Sequence, residues 1–456
     1  IFDSLSYHGY CTTNLLRINP SFGTKEDLLE LVREAHKRGL AVYLDIVINH
    51  HCSKYLAYKD TNANNRCYDN GKINPVFQKK LYGIRFLPLY LRSEEFFTRC
   101  GKFNLDDPKV ENYSYIYSDF TSKMFDLNSS NEVWSQRIAN IYGYWISEVG
   151  IDGFRLDAAR HVHNSYLNKL EQELNSVYRE IGGEKLNIYA EYAFLYGFYM
   201  KGEKKEIDFI KNNKISFINF PYVCSLYNLF KPFQKAHYPP ECSVELKEYQ
   251  KSLVSNPSYL NRIDNSLVFV SSQDWQRVWS RFKLQRAKQI LAAFLLGPGT
   301  PMLYYGDEQG FNEGCSEDDC ERHAYRRQSM FNLAPYQGKS ILTGLEDQKS
   351  LLKNIENLFS NEEPYLQESW TYKFIQKLVS LRNKLKLDNN FLSYVIEDKS
   401  SWVEISSESH NLLLFKDNVV LDDKVCSLYK NKNNLFNDRT LDSCHYKDGD
   451  IIIVSK

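Results

Sequence analysis

From its first residues to about Leu385 the chain repeats one order, a strand-like run followed by a helix-like one. That order restricts the fold more than any single residue does. Residues 41–48 are an apolar run with β-branched members, the pattern of a strand buried on both faces. Before them, Leu28, Leu31, Val32 and Ala35 recur at helical spacing across residues 25–38, with Thr24 placed as N-cap and Gly39 as stop. Trp134, Ile138, Ile141 and Trp145 line one face of another helix, which ends near Gly150. Further strands are expected at 153–156, 187–190, 214–220, 266–270 and 300–305, each followed by helix-like sequence. Repeated β-then-α order implies a parallel sheet, and this many repeats favours a closed (β/α)8 barrel over an open sheet. A chain of 456 residues can bury such a core.

Two intervals break the rhythm. Between Asn49-His50 and the helix starting near Glu132 lies a long stretch rich in Tyr, Asn and Lys. A structureless loop of about eighty residues is improbable inside a compact domain, so this is read as an inserted small domain. Beyond Leu385 the pattern turns to antiparallel strands, at 401–415 and 451–454, with the Asn- and Lys-rich residues 430–439 as loop. The expected domains are therefore barrel at 1–50 and 131–386, an inserted domain at 51–130, and a C-terminal antiparallel β-domain at 387–456.

Composition excludes some partners. Lys plus Arg equals Asp plus Glu at 57 each, so there is no basic footprint for nucleic acid. The longest apolar stretches, such as residues 290–296, stop at Gly297-Pro298-Gly299, far short of a membrane span. A monomer is expected. Ten cysteines include pairs close in sequence, Cys52 with Cys67, Cys315 with Cys320 and Cys426 with Cys444, which in a secreted protein are candidate disulfides. With the glycosylation patterns Asn112-Tyr113-Ser114 and Asn128-Ser129-Ser130 they favour a secreted or lumenal location over a cytosolic enzyme with buried thiols. Aromatics reach 14%; flat rings serve sugar-binding clefts, but most belong in the core.

Chemistry enters with three acids at expected strand ends: Asp157 after Gly153-Phe154-Arg155-Leu156, Glu191 after Asn187-Ile188-Tyr189-Ala190, and Asp274 after Phe269-Val270-Ser271-Ser272-Gln273. Retaining cleavage of a glycosidic bond needs one carboxylate that attacks and one carboxylic acid that protonates the departing oxygen. A parallel barrel collects such groups at the C-terminal ends of different strands. Arg155 and Asp157 are two apart on one strand and share a face, and a guanidinium there favours the ionised nucleophile. Glu191 is expected to keep its proton through the negative charge of Asp157 and Asp274. His161-Val162-His163 lacks a third ligand for zinc.

These residues resemble the α-amylase superfamily of retaining α-glucan hydrolases and transglycosylases. Residues 45–50 (DIVINH) resemble its first signature, 153–161 (GFRLDAARH) its second, Glu191 its third and 269–274 its fourth. Tyr7-His8-Gly9-Tyr10 with residues 18–24, Phe125-Asp126-Leu127-Asn128 and residues 301–309 add matches in the same order. The resemblance implies Asp157 as nucleophile, Glu191 as general acid/base and Asp274 as the transition-state stabiliser that binds sugar hydroxyls. It implies Arg155 as the residue that orients Asp157, with His8, Tyr10, Asp45, His50, Arg160, His161 and Gln273 around the sugar. It further implies a structural Ca²⁺ held by Asn49, Asp126 and the backbone carbonyl of His161, oxygen ligands that suit a hard cation.

The sequence departs from the pattern in three places. Ser272-Gln273 stands where the family usually has Asn-His; Gln can hydrogen-bond a hydroxyl but cannot become cationic. Cys11 stands where Trp is frequent. Ile1 falls just after the family's second barrel strand begins, so the first strand, first helix and most of the second strand are expected to be missing. Such a chain would expose strand edges and fold poorly. The implied activity is double-displacement cleavage of α-1,4-glucosidic bonds in starch- or glycogen-like glucans. The alternatives are an α-glucan transglycosylase or an α-glucosidase-like exo-enzyme, and behind them a non-catalytic sugar-binding relative.

Overall fold

A computed structural model describes residues 1–58, 68–69, 72–73, 75, 78–101, 114–120, 123–192, 215–230, 266–311, 326–327, 370–387, 389, 391, 394–399, 401–422, 426–428, 433–434, 439–440, 444–447 and 450–455. They fall into two compact units. The first holds the described residues up to Tyr192 together with residues 215–218, and the second holds those from Asn219 onward.

In the first unit four strands run parallel in the order Ser216–Phe217, Asn187–Ala190, Gly153–Asp157, Tyr43–Val47. Gly153 faces Tyr43 on one side and Asn187 on the other. A Cβ at Gly153 would lie 2.4 Å from the Asn187 carbonyl, so only glycine permits this spacing. Phe154 and Leu156 are fully buried, which is worth roughly 1.5–3 kcal/mol for each such side chain. Arg155, between them, points to the opposite face and lies in register with Asp45.

The helices on this sheet begin and end where the sequence says. Lys25–His36 starts from Thr24, whose Oγ1 accepts from the Asp27 amide at 3.2 Å while Asp27 Oδ2 accepts from the Thr24 amide at 2.7 Å. Glu132–Val149 is capped by Asn131 and closed by Gly150 at φ 79°. Its buried Trp145 donates to the Leu15 carbonyl at 2.9 Å and Tyr142 to the Val47 carbonyl at 2.9 Å. These bonds tie the helix to the segments that carry Tyr10 and His50.

The interval 51–130 leaves and re-enters through one short antiparallel ladder, His50–Cys52 against Met124–Asp126, with His50 opposite Asp126. Between them lie the pair Ala57–Tyr58 with Leu81–Tyr82, the pair Tyr68–Asp69 with Lys72–Ile73, and 3-10 turns at Ile84–Phe86, Leu89–Leu91 and Glu94–Phe96.

The second unit contains the parallel pair Leu267–Val268 and Thr300–Pro301 joined through the buried helix Leu284–Leu296. Its C-terminal part is a six-stranded antiparallel sheet ordered Val395–Asp398, Trp402–Ser406, His410–Phe415, Ile451–Ser455, Asn433–Asn434, Arg439–Thr440. Gln289 donates to the Phe415 carbonyl at 2.6 Å and joins that sheet to the helix.

Several expectations need correction. Among the described residues there is no closed barrel; the parallel strands form one sheet of four and one pair. The first strands, Phe2–Ser4 and Thr12–Ile18, pair antiparallel with each other rather than joining the parallel sheet. Cys52 bonds Cys11 and not Cys67, and the neighbouring His50 is hydrogen-bonded to the Tyr10 carbonyl, so the two segments lie side by side. Cys426 does bond Cys444, inside a cluster with Leu413, Phe415, Leu421 and Tyr446. Residues 430–439 are not all loop, since Asn433–Asn434 and Arg439–Thr440 pair. Asn128 Nδ2 donates to the Glu95 carbonyl at 3.3 Å and its Oδ1 accepts from Ser130. Asn112, Cys67, Cys315, Cys320 and Lys214 lie outside the described residues.

Candidate active site

Arg155 organises the first unit's site. One nitrogen, Nη1, lies 2.7 Å from Asp45 Oδ1 and 2.9 Å from Asp157 Oδ1; the other, Nη2, lies 2.7 Å from Glu191 Oε2. Three carboxylates from three neighbouring parallel strands thus meet on one guanidinium. Burial alone would lower the Arg155 pKa, but Asp45, Glu191, Tyr10 and Asp157 outweigh it and hold it well above its ordinary value. It is a permanent cation.

The backbone fixes each partner. Asp157 is the last residue of its strand. Glu191 follows Ala190 directly; its amide donates to the Leu156 carbonyl at 2.9 Å and its carbonyl accepts from Ala159 at 3.1 Å. Ala158, in the left-handed region at φ 50°, turns its amide to 3.3 Å from Glu191 Oε2. The second signature therefore turns back onto the third.

A wall of rings stands beside the acids. Tyr10 donates its hydroxyl to Asp45 Oδ2 at 2.6 Å, and its ring lies 5.5 Å from the Arg155 guanidinium carbon. His8 stacks on Tyr10 at 5.8 Å and 22°. The Tyr10 amide donates to His8 Nδ1 at 3.1 Å, which places the neutral ring's proton on Nε2. His50 Nε2 donates to the Tyr10 carbonyl at 2.9 Å, and burial pushes the His50 pKa down to about 4, so it is a neutral donor. The disulfide Cys11–Cys52 closes the same two segments covalently. Phe120 packs on His50 at 5.5 Å and on His161 at 5.0 Å, which brings the turn Ala159–His161, with Arg160, to this neighbourhood.

Behind His50 lies a polar pocket of a different kind. Asn49 and Asp126 are fully buried, and among the described residues Asn49 Oδ1 and both Asp126 carboxylate oxygens have no hydrogen-bond partner. Burial holds the Asp126 carboxyl well above its usual range, and the charge of Asp119 adds to this. Asp119 is itself pushed up to about 6 by burial and accepts from the Asp126 amide at 2.8 Å and from Tyr58 at 3.0 Å. Orphaned buried oxygens of this sort suit a hard cation. Among the described residues no three His, Cys, Asp or Glu side chains gather into a metal cluster; the oxygens here are an amide's and a carboxylate's.

Gln273 and Asp274 belong to the second unit. The strand ends earlier than expected, at Val268, and Asp274 sits on a following turn in which Ser272 Oγ accepts from the Asp274 and Trp275 amides at 3.2 and 3.0 Å. Asp274 Oδ1 pairs with Arg327 at 3.1 Å, and the Asp274 carbonyl accepts from Arg326 at 2.7 Å. Sequence reasoning missed both arginines, as it missed Asp119 and the Cys11–Cys52 bond. The adjacent Arg326-Arg327 was a visible signal, but nothing in its spacing pointed to Asp274.

The family model for "Alpha amylase, catalytic domain" matches residues 1–389. The chain belongs to this family. It is a family of glycoside-hydrolase-type enzymes, hydrolases and transglycosylases together. The chain is 29% identical over 329 residues to a protein named Alpha-amylase 3 from Dictyoglomus thermophilum, covering 72% of this chain and 58% of that one. It is 24% identical over 311 residues to a cyclomaltodextrin glucanotransferase from Bacillus licheniformis, covering 67% and 38%. The chain thus spans less than two thirds of the length of these relatives. Among solved structures it resembles the α-amylase of Geobacillus thermoleovorans, solved complexed with acarbose, at a TM-score of 0.62 and 18% identity, over 100% of this chain and 86% of that one. That likeness gives the fold, that of the barrel α-amylases.

Proposed function

We propose that this α-amylase-family chain carries the active site of a retaining glycoside hydrolase that cleaves α-1,4-glucosidic bonds in starch- or glycogen-like glucans. The observation that carries the reading is the contact of one guanidinium, Arg155, with both Asp157 and Glu191. It is consistent with the short spacing of a retaining pair, about 5–5.5 Å. Asp157 attacks the anomeric carbon while Glu191 gives its proton to the departing glycosidic oxygen. The resulting glycosyl ester on Asp157 is opened by a water whose proton passes to Glu191, and the sugar leaves with its original configuration. Asp274, with Gln273 beside it, is read as the group that binds sugar hydroxyls as charge develops.

The first step requires a protonated Glu191, whereas its contact with Arg155 favours the carboxylate. The sequence expectation that neighbouring negative charge holds the proton is therefore incomplete. The reading requires that contact to open when glucan fills the site, leaving Arg155 on Asp157 and Asp45. Tyr10 and His8 provide the ring surface and His50 a neutral donor, with Arg160 and His161 toward the leaving-group side. A Ca²⁺ would take Asn49, Asp126 and the His161 carbonyl, and would supply structure rather than chemistry by fixing the segment that presents His50.

We place the barrel at 1–50 and 131–386, an inserted domain at 51–130 and a C-terminal β-domain at 387–456, with a secreted or lumenal location and a monomer. New reducing ends from soluble starch and maltoheptaose, measured beside Asp157→Asn, test the activity. Release by the parent alone supports it, and a folded parent that releases none overturns it. The similarity to a cyclomaltodextrin glucanotransferase favours transfer to sugar acceptors as the second reading. Longer or cyclic products at high maltoheptaose would move the assignment there.

A further inference from the structure

Asp274 is not alone on its turn. Arg277 and Asp307, both fully buried, form an ion pair at 3.1 Å, and Arg277 Nη1 also donates to the Tyr305 carbonyl at 2.6 Å. Arg277 Nη2 and the Tyr304 hydroxyl both donate to the Arg326 carbonyl, at 3.2 and 3.0 Å. The buried Arg326 side chain returns to the Asp274 carbonyl at 2.7 Å. Three bonds therefore hold the Arg326-Arg327 dipeptide in place beside the turn, and the next side chain, Arg327, reaches Asp274 Oδ1 at 3.1 Å. Its side chain is 16% exposed and that of Asp274 31%, so the pair is neither sealed in the core nor fully screened by water.

We propose that Arg327 is the positioning cation of Asp274, and that it supplies from this strap the positive charge that Gln273 cannot carry. The inference rests on the reading of Asp274 as a transition-state stabiliser and names the residue that makes it one. A carboxylate that binds sugar hydroxyls must stay ionised and hold one rotamer. A guanidinium on one oxygen does both. The interaction should matter more as charge develops on the sugar, so its loss should lower kcat more than it raises KM.

The test is kinetics on maltoheptaose with Arg327→Gln, Asp274→Asn and the double variant Arg327→Gln/Gln273→His. Arg327→Gln is expected to lower kcat/KM roughly 10- to 100-fold, the scale of one charge-assisted contact, mostly in kcat. In the double variant an imidazolium can replace the missing charge, so activity should recover at low pH and fade as pH rises through about 6.5. A purely structural arginine would not create that new pH limb. Arg327→Lys keeps the charge with a shorter reach and should lose about tenfold or less, again in kcat. Unchanged kinetics in Arg327→Gln while Asp274→Asn abolishes turnover would overturn the proposal and leave the role of Asp274 standing. If neither variant lowers turnover, the reading of Asp274 is wrong and the proposal falls with it. A loss confined to KM, or no recovery in the double variant at any pH, also counts against it.

Discussion

At the scale of single residues, the site is an arrangement of charge around Arg155. Three carboxylates share one largely buried guanidinium, so removing the cation should cost more than removing any one acid. Arg155→Met leaves Asp45, Asp157 and Glu191 facing one another without a counter-ion, and we expect a loss of about 3–5 kcal/mol, read as a lower midpoint in urea unfolding. Glu191→Gln separates acid catalysis from the rest. On glucan, which has a poor leaving group, kcat should fall about 10²–10⁴-fold. On a glucosyl fluoride, whose leaving group needs no proton, the formation of the glycosyl-enzyme should be nearly unaffected. An equal loss on both substrates would remove Glu191 from the acid role.

At the scale of elements, the ring wall depends on how two segments are joined. Tyr10 and His50 come from segments forty residues apart in sequence that are held by a hydrogen bond at 2.9 Å and by Cys11–Cys52, a separation of 41 residues. Chain-entropy reasoning gives about 4 kcal/mol for closing a loop of that length. Cys11→Ser/Cys52→Ser should therefore lower the unfolding midpoint and, because the same bond sets the wall, raise KM for maltoheptaose more than it lowers kcat. An unchanged KM would show that the hydrogen bonds suffice. A smaller effect belongs to the helix Lys25–His36. Thr24→Ala removes one half of its capping box and should cost about 1 kcal/mol with no kinetic change.

At the scale of the whole molecule, the pocket of Asn49 and Asp126 joins the inserted interval to the parallel sheet, since Asn49 follows one strand and Asp126 ends the ladder opposite His50. With its buried oxygens lacking a hydrogen-bond partner among the described residues, that junction is a stability cost that a cation would relieve. Millimolar Ca²⁺ is expected to raise the melting temperature and a chelator to lower it, with Asp126→Asn abolishing the difference. A melting curve indifferent to both would argue that these residues serve as hydrogen-bonding groups alone.

Much of this was determined by the sequence itself. Local rules fixed the helix from Thr24, the stop at Gly150 and the strands at 153–157 and 187–190, because capping, left-handed glycine and apolar runs act within a few residues. Strand ends then placed Asp157 and Glu191 on one edge, and period-two alternation put Arg155 beside Asp157. What the sequence left open were contacts between distant segments. It could not choose Cys11 over Cys67 for Cys52, nor bring Arg327 to Asp274, nor reveal that Arg155 would reach Glu191 as well as Asp157. Such pairings follow from register and turn geometry, which shift side chains by several ångströms without any change in local pattern. The end of the strand at Val268 and the turn that carries Asp274 are a case of the same kind, decided by Ser272 and by the buried Arg277–Asp307 pair.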